Sequence, residues 1–211
     1  ARAVEALAED IATIAKDRQQ DILVLSDEVY EHIVFDGSPH QSVLRHAELA
    51  ERSFVVSSFG KTYHCTGWKV GYCVAPRALS AEFRKVHQYL TFCTFAPAQW
   101  AFADVLEADP QHYLDLPAFY QTKRDRFREL LAGSRFQLLP VGGAYFQLAD
   151  YAAISDKDDL NFCEWLVREA GVAAIPVSAF CETAPEARLV RFCFAKSDDT
   201  LRAAAERLVR L

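Results

Sequence analysis

The 211 residues are enough for one large domain or two small ones, and 51% hydrophobic with 12% aromatic content can bury a core and excludes a disordered polymer. A net charge of −6 supplies no basic surface, so nucleic acid is excluded as a partner class. No apolar run approaches the length of a bilayer span, and nothing at the start resembles a signal peptide, so no membrane partner is expected.

Cys65, Cys73, Cys93, Cys163, Cys181 and Cys193 form no C-x-x-C pair, and no histidine stands at zinc-ligand spacing. No metal is expected, and the thiols suit a reduced cytoplasmic protein. In chain order, residues 2–17 place Val4, Leu7, Ile11 and Ile14 on one helical stripe, with Lys16 and Asp17 mostly elsewhere. Asp21 precedes the run Ile22-Leu23-Val24-Leu25, which has no polar alternation and suits a strand covered on both faces of a parallel sheet. Helix followed by buried strand is half of a βαβ unit. Asp27 and Tyr30 stand just past that strand, where open α/β sheets bind ligands. Glu28 and Glu31 read as solvated neighbours.

Asp36-Gly37-Ser38-Pro39 has turn chemistry, and 42–51 reads as a short surface helix. Next comes the stretch from Phe54 to Pro76, FVVSSFGKTYHCTGWKVGYCVAP. An apolar run enters a polar turn that delivers Lys61, and a second strand-like run leaves after Lys69. Apolar residues on both sides hold Lys61 on a short connection at a sheet edge. A lysine so placed loses hydration, which lowers its pKa and makes the amine a usable nucleophile. Helices are predicted over 81–90, 97–107 and 111–131, the second with Pro97 in its first turn. Beyond them, 136–139 and 144–148 read as paired strands around Gly142-Gly143. A helix over 160–169 ends near Gly171, strands cover 172–176 and 189–194, and Ser197-Asp198 caps a final helix to Leu211. Arg191 lies in the strand LVRFCFA between two apolar residues.

The phrases SDEVY, SFGKTYHCTGWKVGYCVAP, RKVHQYLTF, GVAAIPVSAFC and RFCFAK resemble the class I aminotransferases that use pyridoxal 5′-phosphate (PLP), within them the methionine, aromatic and kynurenine subgroup. The similarity runs from about Ile22 to the last residue. It implies an α/β fold of the fold-type I PLP-dependent transferases. Residues 1–117 would be the C-terminal part of the large parallel-sheet cofactor domain, and 118–211 a small α+β C-terminal domain. Lys61 would hold PLP as a Schiff base and move a proton between the substrate Cα and the cofactor. Asp27 would pair with the pyridine nitrogen and Tyr30 with the phenolic oxygen. Ser58 and Lys69 would contact the phosphate, and Arg191 would bind the substrate carboxylate. Amino-acid and 2-oxo-acid substrates, ping-pong turnover and a homodimer follow from the same resemblance.

No second cation for a side-chain carboxylate is evident, so methionine, aromatic amino acids and leucine are the expected donors. The chain contains no methionine and opens within a helical stripe. It is therefore expected to be the C-terminal part of a longer enzyme, whose preceding portion holds the phosphate's N–H cradle. Two other uses of the cofactor stay open: a carbon–sulfur lyase and a non-catalytic sensor domain. Ser58-Phe59-Gly60-Lys61 also matches the S-x-x-K of acylating serine enzymes, but neither S-D-N nor K-T-G follows it.

Overall fold

A computed structural model describes residues 2–18 and 22–211. The Val4, Lys16 and Asp17 side chains and Asp21 lie outside the described residues. The chain divides into two compact units, Ala1–His32 with Pro39–Asp115, and Ile33–Ser38 with Leu116–Leu211.

The first unit opens with helix α1 (Arg2–Arg18) and is built on a three-stranded sheet in the order β1 (Val24–Asp27), β2 (Ser53–Ser58), β3 (Gly71–Val74). β1 pairs with β2 in parallel and β3 returns antiparallel, so the sheet is mixed where a parallel one is predicted. The two faces also differ. Val24 packs with Ala8 and Ile11 of α1 on a buried cluster of Val43, Leu49 and Val55, while Leu25 is 72% exposed. Among the described residues, the strand expected to be covered twice is thus covered once. The elements that pack on it, α1 and residues 43–50, all cover the same face. Residues 42–51 form a 3-10 turn followed by the single-turn helix α2 (Ala47–Ala50), and Val43 and Leu49 pack on the sheet while Leu44 is exposed.

Between β2 and β3 the chain makes the single-turn helix α3 (Phe59–Thr62), then a 3-10 turn over Thr66–Trp68. Helices α4 (Arg77–Leu90), α5 (Ala96–Ala108) and α6 (Gln111–Leu130) follow, close to their predicted bounds. Pro97 sits in the first turn of α5, where its missing N–H costs nothing.

The second unit is an antiparallel sheet in the order β4 (Gln137–Leu138), β5 (Phe146–Asp150), β7 (Leu189–Cys193), β6 (Ile175–Pro176). Helix α7 (Asp159–Trp165) continues as one π-helical turn to Ala170 and stops at Gly171, whose φ of +62° suits a residue without a Cβ. Ser197 caps α8 (Asp198–Leu208), accepting from Thr200 N. Tyr151 stacks on Phe162 at 3.9 Å, and both are fully buried.

Residues 33–38 pack into this unit although they lie far from it in sequence. Ala144 N donates to the Ile33 carbonyl and Phe35 N to the Gly142 carbonyl. The Arg124 fork grips both Asp36 oxygens, at 2.7 and 2.8 Å. The guanidinium holds the Asp36 carboxyl below its ordinary range, and Asp36 and Gly37 adopt the left-handed turn that their chemistry favours.

Gly71 is required by close approach. A Cβ there would lie 2.4 Å from the Ser57 carbonyl oxygen, a backbone atom that cannot yield without moving β2. Gly71→Ala should therefore destabilise the chain by about 1–3 kcal/mol in urea denaturation. A change below about 0.5 kcal/mol would contradict this packing.

Candidate active site

The strand directions gather one end of the first unit's sheet. Asp27 is the last residue of β1, opposite Val56, and Ser58 is the last of β2, opposite Gly71. Tyr30 follows Asp27 in the next turn, Lys61 follows Ser58 on α3, and Lys69 precedes Gly71 by two residues. Asp27, Tyr30, Ser58, Lys61 and Lys69 thus all come from the segments that leave or enter this end. Arg191 belongs to the second unit.

Local chemistry sets each position. Asp27 is exposed, and its Oδ1 accepts from Val29 N at 3.2 Å, shaping the turn that carries Tyr30. Ser58 caps α3: its Oγ accepts from Gly60 N at 3.1 Å and donates to the Val70 carbonyl at 3.2 Å. Lys69 is exposed with φ +56°, a left-handed conformation that costs a side-chain-bearing residue energy.

One turn of helix is too short to hold itself, so tertiary contacts hold α3. Phe59 stacks on Phe102 of α5 at 4.7 Å, beside buried Val70 and Ala98. His112 of α6 reaches the Thr62 carbonyl at 2.7 Å with Nε2, and its ring stacks on Tyr63 at 4.9 Å. Lys61 is therefore flanked by residues pinned on both sides. Burial, together with His112 nearby, pushes the His64 imidazole below its ordinary range.

Glu28 and Glu31 are not the solvated residues that the sequence suggests. Glu28 is 9% exposed. Its Oε1 accepts from Ser26 Oγ, Ser42 Oγ and Val43 N at 3.0–3.1 Å, and its Oε2 meets His40 Nε2 at 2.8 Å. Glu31 accepts from Ser57 Oγ at 2.7 Å and from the Tyr72 hydroxyl. Burial, then the hydrogen bond to Glu31, raises the Tyr72 phenol to about 12. Apart from Ser26, these partners lie 12–41 residues from the acids, so no local pattern announces them. The one signal available was a polar pair, Ser57 and Tyr72, inside strand-like runs.

In the second unit Arg191 lies on β7 between Leu148 of β5 and Ile175 of β6. Its guanidinium carbon sits 4.1 Å from the Phe146 ring centre and 4.5 Å from that of Phe180. Its Nε is buried and makes no hydrogen bond among the described residues. A buried donor left unpaired costs about 1–3 kcal/mol, so the site is suited to an acceptor from outside the chain. Among the described residues, no group of three or more His, Cys, Asp or Glu could hold a metal ion, and no helix is long and apolar enough to cross a membrane.

Residues 5–208 match the family described as aminotransferase class I and II. The chain belongs to that family. This aminotransferase chain is 60% identical over 191 residues to the methionine aminotransferase of Escherichia coli K12, covering 90% of itself and 50% of that protein. It is 34% identical to human kynurenine–oxoglutarate transaminase 3, covering 88% of itself and 45% of that protein. The crystal structure of E. coli YbdL, described as identifying a methionine aminotransferase function, superposes with a TM-score of 0.89 at 56% identity. That match covers 97% of this chain and 54% of YbdL, and gives the α/β fold as that of the fold-type I enzymes. The chain spans about half the length of the curated relatives it matches.

Burial pushes the Glu28 carboxyl up, but its hydrogen bonds from His40, Ser42, Val43 and Ser26 outweigh this and leave it below the ordinary value. A depressed folded pKa contributes stability above the unfolded carboxylate pKa of about 4.3, lost as the pH falls through the folded value. Glu28→Gln should therefore flatten the acid limb of the stability curve below about pH 5, read by urea denaturation. Parallel acid limbs in the two proteins would contradict the assignment.

Proposed function

We propose that this chain carries the reactive lysine and most of the ring-contacting groups of a PLP-dependent aminotransferase acting on a neutral amino acid. The observation that carries the reading is the donor set at one end of the sheet. A carboxylate, a phenol, a hydroxyl and two ammonium groups leave or enter that end on three strands. Such a set matches the ring nitrogen, phenolic oxygen, phosphate and aldehyde of PLP.

When bound, PLP supplies an electron sink for the substrate's Cα carbanion. Lys61 Nζ holds the cofactor through its aldehyde carbon. Lys61 Nζ, when free, would be the base that takes the substrate's Cα proton. Asp27, at the C-terminal tip of β1, keeps the ring nitrogen protonated as a fixed negative charge. Tyr30 donates to the ring's phenolic oxygen. Lys69 offers a point charge to the phosphate, and Ser58 joins it by turning its proton away from the Val70 carbonyl. Arg191 takes the substrate carboxylate: its planar fork is held between two aromatic faces and its Nε awaits an acceptor.

Methionine as donor is supported by the similarity to the E. coli methionine aminotransferase, and aromatic donors by the kynurenine transaminases. We assign residues 1–117 to the cofactor domain and 118–211 to a small C-terminal domain. The enzyme acts as a homodimer in the cytoplasm, where its six free cysteines stay reduced. The exposed Tyr89, Leu90, Phe92, Phe95 and Trp100 offer apolar surface for a partner subunit.

An absorbance titration with PLP tests this, followed by addition of methionine. A saturable band absent from Lys61→Ala, then release of a 2-oxo acid that keeps its thioether, is the expected result. Release of a thiol would make the protein a lyase, and an equal band in Lys61→Ala would remove the lysine from its role. Lys69→Gly separates strain from function. It should leave stability within about 1 kcal/mol, because glycine accepts the left-handed backbone, while weakening PLP binding. Unchanged PLP affinity would contradict the phosphate role.

A further inference from the structure

We propose that Glu28 is a positioning residue for Asp27: its buried carboxylate closes a ring of hydrogen bonds around the tip of β1 and fixes the direction in which the Asp27 carboxylate is presented. The inference rests on the cofactor reading above and adds a residue to it.

Burying a carboxylate is costly unless every lone pair is met, and a structural role alone could be filled by an apolar side chain. Glu28 is met on all sides. Ser26 Oγ donates to Oε1 at 3.0 Å from within β1, and Ser42 Oγ and Val43 N donate to the same oxygen at 3.1 Å from a segment 14 and 15 residues on. His40 Nε2 closes the other oxygen at 2.8 Å. Meanwhile Glu28 N donates to the Val56 carbonyl at 2.8 Å, extending the β1–β2 ladder one residue past Asp27. Asp27 thus sits between two anchored neighbours, Ser26 and Glu28. Those neighbours turn inward, and Asp27 alone of the three faces outward, exposed at the sheet's end.

The next turn is closed in the same manner. Glu31 N donates to the Glu28 carbonyl at 2.9 Å, and the Glu31 carboxylate accepts from Ser57 of β2 and Tyr72 of β3. Tyr30 lies between these two acids. An aspartate that serves a ring nitrogen must hold its angle as well as its charge, because a charge-assisted hydrogen bond weakens steeply off line. The two buried or bridging acids supply that constraint from outside the donor set. The ring around Glu28 is the tighter of the two, since three donors share one oxygen.

A double-mutant cycle between Glu28 and Asp27 tests the proposal on the full chain, with PLP dissociation constants from absorbance titration and Tm without PLP as a folding control. If Glu28 acts through Asp27, Glu28→Ala should weaken PLP binding about ten-fold when Asp27 is present and less than about two-fold in Asp27→Asn. Glu28→Gln, which keeps the shape and most acceptors, should restore affinity to within about three-fold. Equal losses in both backgrounds would overturn the proposal, because they mark a general loss of structure. Unchanged affinity in a folded Glu28→Ala would overturn it too. The cofactor reading is checked separately by the wild-type band and its loss in Lys61→Ala. If that pair behaves as expected and the cycle is additive, only the Glu28 assignment falls. A wild-type chain with no Lys61-dependent band would overturn both.

Discussion

The gathering of strand ends at the candidate site depends on the parallel pairing of β1 with β2. That one register, Asp27 beside Val56, brings two strand ends to the same edge, and the antiparallel return of β3 adds a third. A slip of one residue would turn Asp27 into the covered face and send Glu28 outward, because side chains alternate along a strand. The ladder bond from Glu28 N to the Val56 carbonyl therefore fixes more than geometry. It decides which of two neighbouring acids is available for chemistry and which is buried as scaffold. The lysine is held by a different device, aromatic stacking of Phe59 and Tyr63 against α5 and α6 around a single helical turn.

Much of this is legible in the chain itself. The apolar run at 54–56, the capping serine and the lysine three residues later form one local pattern, and local patterns survive folding. Helices α4 to α6 are readable for the same reason, as are Gly171 at a helix end and Ser197 at a helix start. Glu28 is not readable. Next to Asp27 and Glu31 it looks like part of a solvated acidic turn, and its partners His40, Ser42 and Val43 come from a later segment that only the fold returns to it. Residues 33–38 are hidden by the same physics. Their attachment to the second unit depends on Arg124, 88 residues away from Asp36, and on a bridge between Val34 and Gly143.

The sheet's two faces differ in what packs against them. Leu23 and Leu25 belong to an uninterrupted apolar run, which predicts cover on both sides, yet both are more than half exposed here. The face carrying Val24 and Val55 has α1 and residues 43–50 upon it, and on the other Phe54 meets Phe83 of α4. Burial is a property of what packs against a strand, and the strand's own residues state only what they would accept. Arg191 makes the converse point. Its flanking apolar residues suggest a snorkelling or paired cation, and the fold stacks it between two phenyl rings with its Nε unmet among the described residues. A polar group kept dry and unpaired is a stronger pointer to a ligand than its place in a motif.

In the proposed site Lys61 is the lysine that takes a carbonyl compound covalently. Borohydride reduction of the chain mixed with PLP, followed by peptide mapping, tests it most directly. A reduced pyridoxyl adduct on the peptide containing Lys61, saturating at one per chain, is the expected result. Adducts spread over exposed lysines such as Lys85 and Lys157, with no preference for Lys61, would contradict it.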